Sequence, residues 1–187
     1  MNRRGQVDMN PEIRRLAGED AAALRAFFAG MPAEDRTFFF QDVTDPSVAD
    51  AWASDDRRTR RCAVDEYGQL VAFAALEPGV DWSSHVAEVV LVVAPQARRQ
   101  GIGRALARRL LVDAVERGFK KVTVMLPVDN EGAVEMFRKL GFEPEALLRD
   151  HLRSPEDGTV RDSLILAHMV DDTWSTMLAG GFDEAVR

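Results

Sequence analysis

Residues 88–106 read EVVLVVAPQARRQGIGRAL, running from Glu88 through Val93, Pro95 and the turn Arg98-Arg99-Gln100-Gly101-Ile102-Gly103-Arg104 to Leu106. With Val86 and Ala87 before it, the first part is a β-branched, nearly unbroken apolar run. Such a strand sits in the middle of a sheet and is covered on both faces. It stops at Pro95, which has no N–H to carry a ladder further. From Ile102 the apolar period changes. Ile102, Leu106, Leu110, Ala114 and Val115 trace one stripe with arginines opposite, which predicts a helix to Arg117 ended by Gly118.

The turn between the two elements has the chemistry of an anion seat. A helix N-terminus leaves backbone N–H groups unpaired and carries a partial positive charge, so phosphates bind there readily. Gly101 and Gly103 lack a Cβ and allow a diphosphate close to the main chain. Between Gln96 and Leu111 there are five arginines and no acidic residue, inside a chain of net charge −7. Two other phosphate motifs do not apply. The dinucleotide fingerprint needs a third glycine where Leu106 stands, and the Gly-Lys-Ser/Thr of the triphosphate loop is absent. A glycine turn that merely starts a helix remains the plain alternative for this stretch alone.

Working outward, Lys121 to Leu126 reads as another buried strand, followed by a helix capped by Asp129 or Asn130 with Ala133, Phe137 and Leu140 on one face. Gly141 stands where a helix end favours a left-handed residue. Strands are predicted over Glu145 to Arg153 and Thr159 to Met169, around the turn Pro155-Glu156-Asp157-Gly158. Upstream, Arg61 to Asp65 and Leu70 to Leu76 flank Glu66-Tyr67-Gly68-Gln69 and predict a hairpin. Ile13 to Leu16 reads as a short strand. Glu19 and Asp20 open a helix carrying Leu24, Phe27 and Phe28, closed by Gly30. Short helices are expected over Ala33 to Phe40 and Val48 to Ala53, and a last one over Asp172 to Leu178.

The 187 residues suit one domain, with a core over about 11–170 and a C-terminal helix and tail over 171–187. The net charge argues against a nucleic-acid partner. No apolar run approaches the ~20 residues of a membrane span. The N-terminus has basic residues without an apolar stretch behind them, and the single Cys62 forms no disulfide framework, so a cytoplasmic location is expected.

On the segment Glu88 to Leu106, the strand at Val122 to Leu126 and the closing pattern Asn130-x-x-Ala133-x-x-x-Phe137-x-x-Leu140-Gly141-Phe142, the chain resembles the GNAT acyltransferase superfamily. Ile13 to Leu16 with the helix after it resembles the family's usual opening. Pro32-Ala-Glu34-Asp35-Arg36-x-Phe38-Phe39-Phe40 is similar to the bacterial branch that includes protein lysine acetyltransferases. The resemblance implies an α/β (α+β) fold: a single domain with a mixed, mostly antiparallel sheet of about seven strands, flanking helices, and fourth and fifth strands splayed apart. It further implies acetyl-CoA as co-substrate and no metal. The pantetheine arm would pair with the main chain near Val92 and Val93. The diphosphate would lie against Arg98, Arg99, Gln100, Gly101, Ile102, Gly103 and Arg104, and Asn130 near the thiol end. The acceptor would be a primary amine, on a small molecule or at a protein lysine or N-terminus, and a homodimer is left open.

Transfer to an amine needs the neutral base, whereas alkyl amines are mostly protonated at pH 7. A general base is worth ~10²–10⁴ in rate. Glu88 is the candidate, because partial desolvation in a central strand raises a carboxyl pKa; a solvent-facing or arginine-paired carboxylate is its plain alternative. Many family members place a tyrosine where Phe137 stands, and phenylalanine has no proton to give a departing thiolate. A thiol of pKa about 8.5 leaves without strong assistance, and water, Ser163 or a histidine (His85, His151, His168) stay open as the donor. A non-catalytic acyl-CoA-binding domain is the rival reading. Ten acidic residues against four arginines between Asp42 and Glu88 suggest a cationic acceptor. Trp52 and Trp82 are candidates for its edge.

Overall fold

The computed structural model describes residues 11–36, 39 and 41–170. The apolar runs become seven strands: β1 (Glu12–Arg15), β2 (Thr59–Val64), β3 (Leu70–Pro78), β4 (Val86–Val93), β5 (Lys121–Pro127), β6 (Glu143–Arg153) and β7 (Val160–Met169). Four helices accompany them: α1 (Ala21–Ala29), α2 (Pro46–Ser54), α3 (Ile102–Glu116) and α4 (Glu131–Arg138). The strands form one sheet in the order β1-β2-β3-β4-β5-β7-β6. Every neighbouring pair is antiparallel except β4 and β5. This is the mixed, mostly antiparallel α/β architecture expected. No helix among the described residues is long and apolar enough to cross a membrane.

The strand register sorts side chains onto two faces, because directly opposed residues share a face. Arg60 opposes Ala75 and Ala75 opposes Val90; likewise Glu77, Glu88 and Thr123 stand in a row. This face carries α1 and α2. Phe73 meets Phe28 of α1 and stacks on Trp52 of α2, with ring centroids 5.5 and 5.4 Å apart, and Phe39 joins the same group. The opposite face carries α3. Its residues Leu106, Leu110 and Ala114 are fully buried against the sheet, as the stripe predicted.

One element differs from expectation, and Asp20 opens α1 as expected but in an unusual way. Only Ala33–Arg36 coils, as a single 3₁₀ turn, in place of the helix to Phe40; Thr37, Phe38 and Phe40 lie outside the described residues. Phe39 packs edge-on against Phe28. Asp20 does not cap α1 with its side chain. Its carboxylate turns back to accept from the Ala17 N–H at 2.8 Å and pairs with Arg14 at 2.7 Å, tying α1 to β1. The helix expected over Asp172 to Leu178 lies outside the described residues.

A buried ion pair fixes α3 to the sheet. Arg61 of β2 donates from Nε and Nη2 to the two carboxylate oxygens of Asp113 in α3, at 2.5 and 2.6 Å, and both side chains are over nine-tenths buried. The planar fork fits a carboxylate with two bonds at once. Breaking such a pair leaves a buried charge without its partner. Arg61→Ala is therefore expected to destabilise the fold by about 3–5 kcal/mol in urea denaturation. The double change Arg61→Met with Asp113→Leu is expected to recover most of that loss.

Candidate active site

Strands β4 and β5 pair over only four positions, Val86↔Lys121 to Val89↔Val124, and then part. On its other side β4 stays paired with β3 through Val93. Gly79 donates to the Val86 carbonyl and Ala94 donates to the Val71 carbonyl, so residues 86 to 94 of even number face β3. Alternate residues of a strand turn their main-chain groups to opposite neighbours. The N–H and C=O groups of Leu91 and Val93 therefore face the gap. A cavity of about 510 Å³ fills it, walled by β4 from Glu88 to Val93, by Val124 to Pro127 and by Asn130, Met136 and Phe137. The sequence pointed to the main chain at Val92 and Val93. The register corrects this: the Val92 peptide groups are turned to β3, Leu91 takes their place, and Val92 contributes its side chain.

The turn before α3 closes one end of this cavity. Arg98, Arg99, Gly101, Ile102, Gly103 and Arg104 all line it. Gly101 has φ 82°, a left-handed conformation that favours glycine, and a Cβ there would meet nothing within 4 Å. Gly103 serves a different need. A Cβ on it would come 3.4 Å from Val93 Cγ2 and 3.6 Å from Leu91 Cδ2, so it lets the first turn of α3 lie tightly on β4. Arg99 also sits at positive φ, 63°. Two side chains of the turn are held by the protein itself. The Gln100 side chain donates to the Gln96 carbonyl at 3.3 Å and does not line the cavity. The Arg98 guanidinium is already engaged, from Nε to the Val93 carbonyl at 3.0 Å and from Nη2 to Asp35 at 2.5 Å. It braces the turn against β4 and the 3₁₀ segment, leaving Arg99 and Arg104 as the cations at the rim.

Glu88 stands where the two strands part, and it lines a second cavity as well. That one, about 570 Å³, opens on the sheet face that carries α2. Its walls are apolar along Phe39, Trp52, Phe73 and Val90, and its charged groups are Asp55, Arg58, Arg60, Glu77 and Glu88. Burial pushes the Glu88 carboxyl up from its ordinary value, and the negative charge of its cross-strand neighbour Glu77 adds to the rise. Trp52 donates from its indole N–H to Gln41 at 3.0 Å, which fixes the ring in this wall.

Of the remaining candidates, only Asn130 and Phe137 line either cavity. Among the described residues neither lining includes a tyrosine or a histidine. Tyr67 is exposed in the hairpin turn and Trp82 is 97 % exposed. His85 and His151 are exposed, while His168 is buried with its Nδ1 2.9 Å from the Gly141 carbonyl. Ser163 is fully buried on β7. Phe137 does line the gap, 2 % exposed and edge-on to Phe142. Cys62 is buried and burial pushes its thiol up to about 12, so it carries no thiolate for nucleophilic work at neutral pH. Asn130 caps α4 by accepting from the Ala133 N–H at 3.3 Å while lining the gap. Arg60 and Glu77 were not singled out from the sequence, where nothing distinguishes them from other charged strand residues.

Comparison with known proteins agrees with this geometry. The model of the Acetyltransferase (GNAT) family matches residues 26–142. An uncharacterized N-acetyltransferase of Methanocaldococcus jannaschii is 35% identical over 92 residues, covering 46% of this chain and 40% of its own. The [ribosomal protein bS18]-alanine N-acetyltransferase of Escherichia coli is 30% identical over 100 residues, covering 54% of this chain and 64% of its own. The chain thus spans between two fifths and two thirds of the length of these curated relatives. Among solved structures, a ribosomal-protein-alanine N-acetyltransferase of Brucella melitensis superposes with a TM-score of 0.72 at 24% identity, covering 85% of this chain and 99% of that one. A phosphinothricin acetyltransferase of Sinorhizobium meliloti, solved in complex with AcCoA, gives 0.72 at 16% identity, covering 88% and 90%. At these identities the two structures speak for the fold.

Gly101→Ala tests the turn. Forcing a Cβ into the left-handed region costs about 1–2 kcal/mol. If the backbone relaxes instead, it withdraws N–H groups from the anion seat, and one lost hydrogen bond to a charged group lowers affinity roughly tenfold or more. The expected outcome is a small fall in thermal midpoint together with that loss in titrated coenzyme A binding. Unchanged affinity would place the diphosphate elsewhere.

Proposed function

The chain belongs to the acetyltransferase (GNAT) family, and on that premise we propose that it moves an acetyl group from acetyl-CoA to a primary amine by direct attack of the amine on the thioester. One observation carries this reading: Glu88 lines both cavities at the point where β4 and β5 part. A thioester lying in the gap and an amine in the second cavity would meet at its carboxylate. The outward-facing main chain of Leu91 and Val93 suits the amides of a pantetheine arm, which would add to the sheet as a strand partner does. The N-terminus of α3, with Arg99 and Arg104, suits the diphosphate. Asn130 and Phe137 would flank the thiol end.

In the reaction, Glu88 takes the proton of the bound ammonium, directly or through water. The freed amine attacks the thioester carbon; the C–N bond forms, the nitrogen gives up its second proton to water, the C–S bond breaks, and the thiolate leaves. Its conjugate acid has a pKa near cysteine's ~8.5, so solvent water suffices to protonate it. That is consistent with phenylalanine at position 137. Direct attack is favoured over an acyl-enzyme because the only cysteine is a neutral, buried thiol. The acceptor is a small molecule or a protein amine; the Escherichia coli relative's name gives an alanine of ribosomal protein bS18 as its own acceptor.

A second reading, a non-catalytic acyl-CoA-binding domain, rests on Phe137. Thiol release from acetyl-CoA with a panel of amines separates the two. Turnover is expected, with kcat rising with pH through the raised pKa of Glu88, and Glu88→Gln is expected to lower kcat by about 10²–10⁴. Coenzyme A binding without turnover would favour the second reading. Stability should move the opposite way. A carboxyl whose folded pKa is raised stabilises the fold below its unfolded pKa and loses that contribution as pH rises through the folded value. Glu88→Gln, a mimic of the protonated form, is therefore expected to melt higher than the wild type at pH 7, and the difference should vanish near pH 4.

A further inference from the structure

The charges of the second cavity do not add up as the sequence suggests. Of the ten acidic residues between Asp42 and Glu88, only Asp55, Glu77 and Glu88 line it. Glu77 is held by Arg58 at 2.5 Å, and Asp55 by Arg57 at 3.4 Å and Arg58 at 3.8 Å. Arg58 thus takes the short contact to Glu77 and shares Asp55 with Arg57, and Arg60, the second arginine of the lining, is left with only longer contacts to both carboxylates. Its side chain is 5 % exposed and lies over the Trp52 ring, with Cζ 5.1 Å from the centroid. Asp55 and Glu77 stand beyond hydrogen-bond distance from it, at 3.8 and 3.9 Å. Among the described residues its only hydrogen bond is a 3.5 Å contact from Nη1 to the Trp52 carbonyl, and Nε has no partner.

A buried guanidinium with so few bonds is short of acceptor oxygens, and a cation in that state gains most from a ligand carboxylate, which matches its fork. The other pole of the cavity is Glu88, with no ion pair among the described residues. From the register Arg60 lies two strands and two residues away from Glu88, so about 12 Å separates their Cα atoms, and their side chains narrow that span from both ends. Aromatic and aliphatic groups, Trp52, Phe73 and Val90 among them, wall the space between. We propose that this cavity takes an amino carboxylic acid, its amine at Glu88 and its carboxylate on the Nη groups of Arg60. The proposal rests on the acetyl-transfer reading for its amine end and on Arg60 alone for its carboxylate end.

The test compares the series from glycine to 6-aminohexanoate with amines of the same length that lack the carboxylate. For the best member, kcat/KM is expected to exceed that of its matched amine by about 10–100-fold, the range of one charge-assisted hydrogen-bond pair. Arg60→Gln is expected to bring that ratio down to within about threefold, chiefly through KM. Circular dichroism and retained coenzyme A binding check that the variant folds; should it not, Arg60→Lys, which keeps the charge without the fork, is expected to give an intermediate ratio. Equal turnover of acids and matched amines by the wild type, or an equal loss for both on substitution, would overturn the proposal. If no amine is acetylated at all, the transfer reading fails and calorimetry still decides this one. Pentanoate binding that Arg60→Gln weakens supports it, and absence of pentanoate binding to the wild type overturns it.

Discussion

The parting of β4 from β5 is the constraint on which the rest depends. An interior strand with main-chain groups left without a strand partner must satisfy them otherwise, with water, a side chain or a ligand. Here Leu91 and Val93 carry that need. Arg98 meets part of it through the Val93 carbonyl and, by its second bond to Asp35, ties the rim of the gap to the segment before α2. The gap stays open because each wall is held from outside. β4 is paired with β3 along its whole length, β5 with β7, and α3 is pinned to β2 by the Arg61–Asp113 pair. A helix anchored near its C-terminal end and packed along the sheet presents its N-terminus at a fixed place, and Gly103 lets that end lie close on β4.

Glu88 gains its position from the same parting. It opposes Glu77 on one side and Thr123 on the other, at the penultimate position before the strands diverge, so the residue borders both cavities. Burial among the apolar walls and the like charge of Glu77 disfavour its ionised form and raise its pKa. The arginines across the cavity do not cancel this, because Arg58 is spent on Glu77 and Arg60 lies two strands away. The cavity is therefore polar along its length, cationic at Arg60 and anionic at Glu88, with an aromatic middle.

Much of this was legible in the sequence, and the rest was hidden for identifiable reasons. The unbroken apolar run of β4, the change of period at Ile102 and the left-handed glycines at 101 and 141 are local signals, and each element lies where they put it. Short polar-flanked segments read less well. Ala33 to Phe40 looked like a short helix, yet only a 3₁₀ turn over Ala33–Arg36 forms among the described residues, and Phe39 is drawn to Phe28 and Phe73 by tertiary packing. Main-chain direction cannot be read from one strand alone: that Leu91 rather than Val92 faces the gap follows from the pairing with β3. Charge counts mislead in the same way. The acidic excess between Asp42 and Glu88 describes the segment, but only Asp55, Glu77 and Glu88 line the cavity, and the short contacts of Glu77 go to Arg58 rather than to the buried Arg60.

The most direct measurement is a titration of ¹⁵N-labelled protein with coenzyme A, following each backbone amide. Backbone N–H groups that receive a new acceptor shift strongly. The account predicts that the largest shifts fall at Leu91 and Val93 in the gap and at the amides from Arg99 to Arg104, with the amides of Val90 and Val92, turned to β3, moving less. Saturable binding that leaves Leu91, Val93 and Gly101 unmoved, or that moves chiefly amides outside the gap and its turn, would contradict it.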